Sequence, residues 1–285
     1  MGAIAGAVGF IGGEIEDGVR TMLSALGHRG RGAGEVYALR ANGDSKGAIL
    51  GVTYSRYEDP RDISRDLAVD PRNGTTLVCD GSIYNSHELR CALERNGESF
   101  RSSSDIEVVV KAHAAWDQGF LARLEGMFAL AAWDPRSRVV SLARDRFGLK
   151  PLYWGEHARN SGARTILFAS EVRALLQTGL FARRIDPVSL EVYAWNGSVM
   201  SPRSIVEGIH AIQPGKCLMV SADTGEVQER RYWFLGDYQG GDGGAKEIGD
   251  ALRRAVERQQ RSDVPVGFFL SGGMAPIKFR AAFQR

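Results

Sequence analysis

The first residues of the chain stand where nucleophilic chemistry is feasible. Removal of Met1 would leave residue 2 with a free α-amine, whose pKa in model peptides is about 7.7–8.0. Such an amine can act as general base for a nucleophilic side chain on the same residue. Residue 2 is glycine. The position therefore offers an amine but no nucleophile.

A second stretch whose residues could bind a ligand lies at 264–273. Its apolar run over 264–270 predicts a strand buried on both faces of a parallel sheet, and it leads directly into Ser271, Gly272 and Gly273. Backbone N–H groups in such a turn can bind a phosphate. No acidic residue follows the turn, so the sequence predicts phosphate contacts without a magnesium ligand.

The composition is typical of a soluble globular protein. The 285 residues are 44% hydrophobic and 25% charged, which suits one large or two ordinary domains. A net charge of +2 without a basic run gives no indication of nucleic-acid binding. No apolar run is long enough to span a bilayer, and no charged-then-apolar leader is present. An odd number of cysteines without metal-ligand spacing favours a reduced, cytoplasmic protein with no metal site; they are Cys79, Cys91 and Cys217.

The residue patterns predict an α+β fold, because strands and helices do not alternate strictly. Small and apolar residues alternate over 1–10, which predicts a buried strand. A helix with one apolar face is predicted at 14–26. The other predicted elements are a helix at 85–96 and strands at 34–39, 47–54, 126–134, 139–145, 152–154 and 165–169.

Two local patterns make sharper predictions. A strand beginning at Thr75 is predicted to stop at Asp80-Gly81. Ser104 followed by Glu107 predicts a capping box at the start of the next helix. That helix would carry His113 into the core, and no second ligand stands at helical spacing from it.

Composition also predicts the domain organisation. Residues 1–238 form the first domain, the glycine-rich stretch 239–244 is a linker, and 245–285 begin a second domain with a helix at 246–260. A parallel sheet needs several strand–helix–strand crossovers. The second domain is therefore predicted to be a truncated α/β stub.

Several motifs coincide in order and spacing, and together they resemble the glutamine-hydrolysing asparagine synthetase family. The resemblance covers residues 1 to about 274. The motifs are Ile4-Ala5-Gly6, His28-Arg29-Gly30, Asp80-Gly81-Ser82-Ile83-Tyr84-Asn85, Ser104-Asp105-Ile106-Glu107, Gly126-Met127-Phe128-Ala129, the run 143–153, Phe168-Ala169-Ser170-Glu171, Pro214-Gly215, 263–267 and Ser271-Gly272-Gly273.

The resemblance implies two functional halves. The first is a class II glutamine amidotransferase domain, an αββα sandwich of the N-terminal-nucleophile hydrolase type that releases ammonia from glutamine. The second is an ATP pyrophosphatase domain, which adenylates aspartate with ATP and magnesium and lets ammonia displace AMP.

The catalytic positions of the amidotransferase half are altered. The family's nucleophilic cysteine corresponds to Gly2. The family's oxyanion-hole Asn-Gly pair corresponds to Asp80 and Gly81. A carboxylate repels a developing oxyanion instead of donating a hydrogen bond to it.

The substrate-binding positions are altered in part. A family glutamate corresponds to Ser82, and the family's arginine corresponds to Tyr54, with Arg56 as a partial replacement. Asp105, which in the family holds the α-amine of the substrate, is retained. A glutamine-like ligand therefore stays a candidate.

The nucleotide-binding half departs from the family as well. Ser271, Gly272 and Gly273 match the pyrophosphate loop, but Ala275 replaces its acidic residue and Pro276 removes a hydroxyl and an N–H donor. No cofactor is expected in this chain, although the family uses ATP and magnesium.

Two further residues lie near the altered catalytic positions or in a retained motif. Cys79 adjoins the oxyanion position, but strand alternation is predicted to turn it away from Asp80. Asp145 is predicted to have a structural role, paired with an arginine beside a turn at Gly148.

Three interpretations follow. The first is a degenerate asparagine-synthetase-like protein without glutaminase activity. The second is a binding module that docks a separate synthetase subunit or a second copy of itself. The third is a remnant of a β-lactam synthetase-like or lasso-peptide cyclase-like ligase, in which an amine within the substrate closes a ring.

Overall fold

The computed structural model describes residues 2–40, 44–54, 67–158, 162–238, 240 and 244–259. The strands are β1 Ala3–Phe10, β2 Arg31–Leu39, β3 Lys46–Tyr54, β4 Leu67–Val69, β5 Thr76–Ile83, β6 Gly126–Asp134, β7 Val139–Arg144, β8 Tyr153–Ala158, β9 Arg164–Ala169, β10 Ile209–Ala211, β11 Lys216–Ser221 and β12 Val227–Arg231. The helices are α1 Gly13–Ala25, α2 Ser86–Arg95, α3 Asp105–Trp116, α4 Phe120–Arg123, α5 Val172–Gln177, α6 Pro187–Asn196 and α7 Ala245–Gln259.

The strands form two antiparallel six-stranded sheets that face each other. The first has the order β10-β8-β9-β1-β3-β2 and the second β12-β11-β7-β6-β5-β4. One apolar layer combines buried residues of both sheets, including Ile4 and Leu142. Helices α1 and α5 cover the outer face of the first sheet, and α2 and α3 cover that of the second. The predicted α+β sandwich is confirmed.

Strand β1 lies inside the first sheet, between β3 and β9. Its alternation sends Ile4 and Val8 into the layer between the sheets and Ala5 toward α1. Gly6 is required by close approach, because a Cβ there would collide with the Ile49 carbonyl oxygen and the Phe168 ring. The small residues of the N-terminal pattern therefore let β1 lie between close neighbours.

Strand β5 carries Asp80 into the layer between the sheets. Val78 packs between the sheets, whereas Cys79 packs against α2 and α3. Side chains alternate along a strand, so Asp80 lies on the Val78 face. The prediction that Cys79 points away from Asp80 is confirmed.

The prediction that this strand stops at Asp80-Gly81 is wrong. Strand β5 continues to Ile83, and Gly81 pairs with Phe128 of β6. A side chain at Gly81 would collide with the Met127 carbonyl oxygen. Here the glycine permits close strand pairing and does not end the strand.

Helix α3 has the predicted N-cap but not the full predicted capping box, because the Ser104 N–H donates to the Ser102 hydroxyl and not to Glu107. Ser104 is the N-cap, and its hydroxyl oxygen accepts the N–H of Ile106 at 3.2 Å. The Glu107 carboxylate accepts the backbone N–H groups of Arg101 and Ser102 at 2.8 and 2.7 Å. Glu107 therefore ties the preceding loop to the first turn of the helix.

His113 is a core residue, as predicted, and it makes stability depend on pH. Its ring is 4% exposed and packs edge-on against Phe120, and burial lowers the pKa of the imidazole. The native state therefore binds fewer protons than the unfolded state below about pH 6.5. The contribution of the neutral His113 to the free energy of unfolding is fully present above that pH. It is lost as the pH falls toward the pKa of His113 in the native state.

We expect the free energy of unfolding to fall between about pH 7.5 and about pH 5.5, and His113→Phe to flatten this slope. Urea unfolding at several pH values measures it. The exposed His87 gives the matched control, His87→Gln, which should keep the wild-type slope. A slope unchanged in His113→Phe would contradict the assignment.

The chain divides into two compact units. Among the described residues, those up to Phe234 form one unit and those from Leu235 onward form the other. Helix α7 belongs to the second unit and covers most of the helix predicted at 246–260. The predicted linker at 239–244 stays a prediction. The predicted strand at 264–270 lies outside the described residues. No described helix has the length and apolar character needed to cross a membrane.

Candidate functional site

Three charged side chains meet between the sheets. Arg29 Nη2 lies 2.8 Å from Asp80 Oδ2, and Lys150 Nζ lies 2.8 Å from Asp80 Oδ1. The side chains are 14%, 1% and 5% exposed for Arg29, Asp80 and Lys150. Both oxygens of the buried carboxylate are thus engaged by cations.

Arg29 also connects this cluster to the start of β1. Its Nε donates to the Gly2 carbonyl oxygen at 3.1 Å, and its Nη1 lies 3.5 Å from Glu171 Oε1. Alternation from Ile4 places residue 2 on the face of β1 that looks toward the second sheet. Residue 2 and Asp80 therefore share one guanidinium as a neighbour.

Elements from both sheets assemble the cluster. Strand β5 provides Asp80 and the turn after α1 provides Arg29. The loop between β7 and β8 provides Lys150, and Glu171 lies between β9 and α5. The charges of Arg29, Lys150, Asp80 and Glu171 balance.

The loop that carries Lys150 is organised around Asp145, which is fully buried. Its Oδ1 accepts the N–H groups of Phe147 and Leu149 at 3.1 and 3.0 Å. Its Oδ2 accepts those of Lys150 and Phe128 at 2.9 and 3.3 Å. The predicted structural role fits this geometry, but the partners are backbone amides and not an arginine.

The neighbouring Arg144 holds the same loop from its carbonyl side. The guanidinium donates to the carbonyl oxygens of Lys150, Ile212 and Gly148 at 2.7, 2.9 and 2.6 Å. Burial lowers the pKa of Arg144. Gly148, at φ +66°, makes the turn, and a Cβ there would crowd this guanidinium.

A partly exposed set of charges continues outward from Arg29. His28 Nε2 lies 2.8 Å from Glu171 Oε1. Arg173 Nη2 lies 2.6 Å from the Ala25 carbonyl oxygen and 2.8 Å from His28 Nδ1. These contacts fix the turn after α1, and with it the position of Arg29.

The structure brings some of the predicted site residues together. Gly2 and Asp80 share Arg29, and Gly81 and Ser82 follow Asp80 on β5. Asp105 Oδ2 accepts the N–H of Ile83 at 3.3 Å, which places the start of α3 at the end of that strand. Tyr54 ends β3, but its side chain lies outside what the structure describes, as do Arg56 and Ser271, Gly272 and Gly273.

No sequence pattern predicts a role for Arg29, Lys150 or Glu171 at this site. Each of them occurs in a motif that carries the family resemblance. Their charges were the available signal, because a buried acid such as Asp80 needs cationic partners.

The arrangement limits the chemistry available at residue 2. Gly2 has no nucleophilic side chain, and a carboxylate at residue 80 has no hydrogen to donate to an oxyanion. Among the described residues, no group of three or more His, Cys, Asp or Glu side chains is placed to hold a metal ion. The residues that the resemblance assigns to ATP lie outside the described part of the chain.

Comparison with known proteins identifies related sequences. A family model described as glutamine amidotransferase domain matches residues 1–233, and one described as asparagine synthase matches residues 247–274. "Asparagine synthetase [glutamine-hydrolyzing] 3" of Bacillus subtilis is 32% identical over 70% of this chain and 32% of its own length. A putative asparagine synthetase of Mycobacterium bovis is 31% identical over 96% of this chain and 43% of its own length. The chain thus spans less than half the length of these two relatives.

Solved structures share the fold. A glutamine phosphoribosylpyrophosphate amidotransferase from B. subtilis aligns with a TM-score of 0.55 at 19% identity, over 81% of this chain and 49% of that one. An allosteric regulatory enzyme of purine biosynthesis aligns with a TM-score of 0.57 at 18% identity, over 98% of this chain and 63% of that one. These likenesses confirm the predicted sandwich of the N-terminal-nucleophile hydrolase type. The chain belongs to the glutamine amidotransferase domain family, in its asparagine-synthetase-like group.

Proposed function

We propose that this domain keeps the amidotransferase fold without hydrolysing glutamine. It is the non-hydrolysing part of an asparagine-synthetase-like, ATP-dependent ligase whose amine comes from a source other than glutamine. The single observation that carries the proposal is the environment of residue 2. That residue lacks a side chain, and the neighbouring Asp80 is held by Arg29 and Lys150.

The ion pairs of Asp80 indicate that the site has lost more than the nucleophile at residue 2. In the family, residue 80 is an amide that donates to the oxyanion. Here both carboxylate oxygens accept from cations, one from the buried Lys150 and the other from the partly buried Arg29. Restoring a thiol at residue 2 would leave the oxyanion without this donor. Loss of one such donor costs about 10²–10³ in kcat.

Glutamate and ammonia release by a set of variants tests the mapping. We expect no activity from the wild-type chain or from Asp80→Asn. Gly2→Cys should be at least about 100-fold less active than the double variant Gly2→Cys with Asp80→Asn. Cleavage of Met1 is verified by intact mass and folding by circular dichroism. Full recovery by Gly2→Cys alone would contradict the role assigned to residue 80.

A second candidate function is a binding module, and the surface of α6 favours it. Leu190, Tyr193 and Trp195 are 49%, 53% and 83% exposed. Large exposed apolar patches mark interaction sites. The partner would be a separate synthetase subunit or a second copy of the chain. Size-exclusion chromatography of the wild type and of Trp195→Ser tests whether this surface mediates self-association.

The chemistry of the ligase follows from the same proposal. ATP and magnesium would act at the synthetase half, and the amine would be free ammonia or an amine of the substrate itself, as in β-lactam synthetase-like and lasso-peptide cyclase-like enzymes. A glutamine-like ligand would bind through Asp105. We place the protein in the cytoplasm, since Cys79 and Cys217 are buried thiols on well-separated strands.

A further inference from the structure

A cleft lies on the outer side of the second sheet, away from the Asp80 cluster. It has a volume of about 340 Å³, at the lower end of the range for small-molecule sites. Strand β4 and the turn after it form one wall, the loop 97–102 the other, and α3 the floor. Apolar side chains, among them Leu67 and Val110, line it together with three cationic and three acidic residues. The charged residues are Arg72, Arg101, Lys111, Asp70, Glu98 and Glu107.

Lys111 is the unusual residue of this cleft. Its side chain is only 10% exposed, yet within the described chain its ion-pair contact is long, with 3.5 Å from Nζ to Glu98 Oε2. The Phe100 ring centroid lies 5.4 Å from the same nitrogen. A buried ammonium has three donors to satisfy, and leaving them unsatisfied is costly. The Lys111 ammonium can therefore donate to a further hydrogen-bond acceptor.

The acids around Lys111 are committed elsewhere. Glu107 stands one helical turn before it, the favourable order for an ion pair, but its carboxylate accepts from Arg101 and Ser102. Arg72 binds both Asp70, at 2.8 Å, and the other oxygen of Glu98, at 2.8 Å. Neither Glu107 nor Asp70 therefore completes the coordination of the ammonium.

Arg101 supplies a second cation at the mouth of the cleft. Its backbone N–H donates to Glu107, and within the described residues its guanidinium makes no hydrogen bond or ion pair. The cleft thus offers one buried and one exposed cation beside the apolar side chains of Leu67 and Val110.

We propose that this cleft binds a small organic anion. The carboxylate or phosphate of the ligand pairs with Lys111 and Arg101, and its apolar part lies against Leu67 and Val110. The proposal is independent of the glutaminase question, because none of these residues belongs to the Asp80 cluster.

Amide NMR titration of the full chain tests the proposal. The probes are inorganic phosphate, acetate and butyrate, at constant ionic strength maintained with sodium chloride. We expect saturable shifts confined to the residues that line the cleft, at 67–72, 97–102 and 107–111. A preference for phosphate identifies a phosphate site, and a preference for butyrate over acetate identifies a carboxylate site with an apolar contact.

Three variants make the test specific. Lys111→Met should weaken binding at least tenfold, and Arg101→Gln, which changes an exposed side chain, should weaken it severalfold without affecting the fold. Lys216→Met removes the same charge on a distant strand, where Lys216 pairs with Glu229, and should leave affinity unchanged. Absence of saturable shifts in the wild type, or equal affinity in Lys111→Met, would overturn the proposal.

Discussion

Replacing Asp80 by alanine is expected to reduce the free energy of unfolding by about 3–5 kcal/mol. The carboxylate is 1% exposed and accepts from both Arg29 and Lys150 at 2.8 Å. Without it, Lys150 loses its carboxylate partner and Arg29 keeps only the longer contact with Glu171, at 3.5 Å. Removing one member of a buried ion pair costs far more than the net value of the pair. Equilibrium urea unfolding of both proteins measures the loss.

An exposed ion pair provides the control for Asp80→Ala. Asp223 contacts Arg138 at 2.8 Å with its side chain 53% exposed, so Asp223→Ala should lose less than about 1 kcal/mol. The double variant Asp80→Ala with Lys150→Ala should lose less than the sum of the two single changes. Strict additivity, or a loss near that of Asp223→Ala, would show that the Asp80 pairs do not hold the site together.

The second large effect concerns Asp145. Asparagine at this position has the same shape, but only one of its two terminal groups accepts hydrogen bonds. Asp145→Asn therefore leaves about two of the four backbone N–H groups, which are buried or partly buried, without an acceptor, at about 1–3 kcal/mol each. We expect the free energy of unfolding to fall by about 3–5 kcal/mol. The Lys150 loop should also exchange its amide hydrogens faster.

Asp186→Asn is the matched control, because Asp186 is the N-cap of α6 and asparagine caps a helix about as well as aspartate. The Asp186→Asn variant should lose much less stability than Asp145→Asn. If Asp145→Asn were as stable as this control, the loop would owe its conformation to Arg144 and not to the Asp145 carboxylate.

The sequence predicts most of the fold because its signals are local. Alternation in β1, the apolar face of α1 and the Ser104 cap each act within a few residues. The end of β5 was missed for the opposite reason. Asp80-Gly81 has the composition of a turn, but Gly81 lies against Met127 of β6, a contact between residues far apart in sequence.

In the candidate site, too, the sequence predicts local features but not contacts between residues far apart in the chain. The motifs alone predict that Gly2 and Asp80 stand at altered catalytic positions. That Arg29 touches both residues depends on how the two sheets face each other, and no spacing in the sequence encodes it. For Asp145 the predicted partner is wrong. An acid beside arginines suggests an ion pair, but in this tight, buried loop the carboxylate accepts backbone N–H groups instead.

The most direct test of the proposed function is the release of labelled ammonium from amide-labelled glutamine by the wild-type chain, with verified removal of Met1. The proposal predicts a rate equal to that of the protein-free control at saturating glutamine, because residue 2 provides no nucleophile and Asp80 is held by Arg29 and Lys150. Turnover clearly above that control, abolished by heat denaturation of the protein, would contradict it.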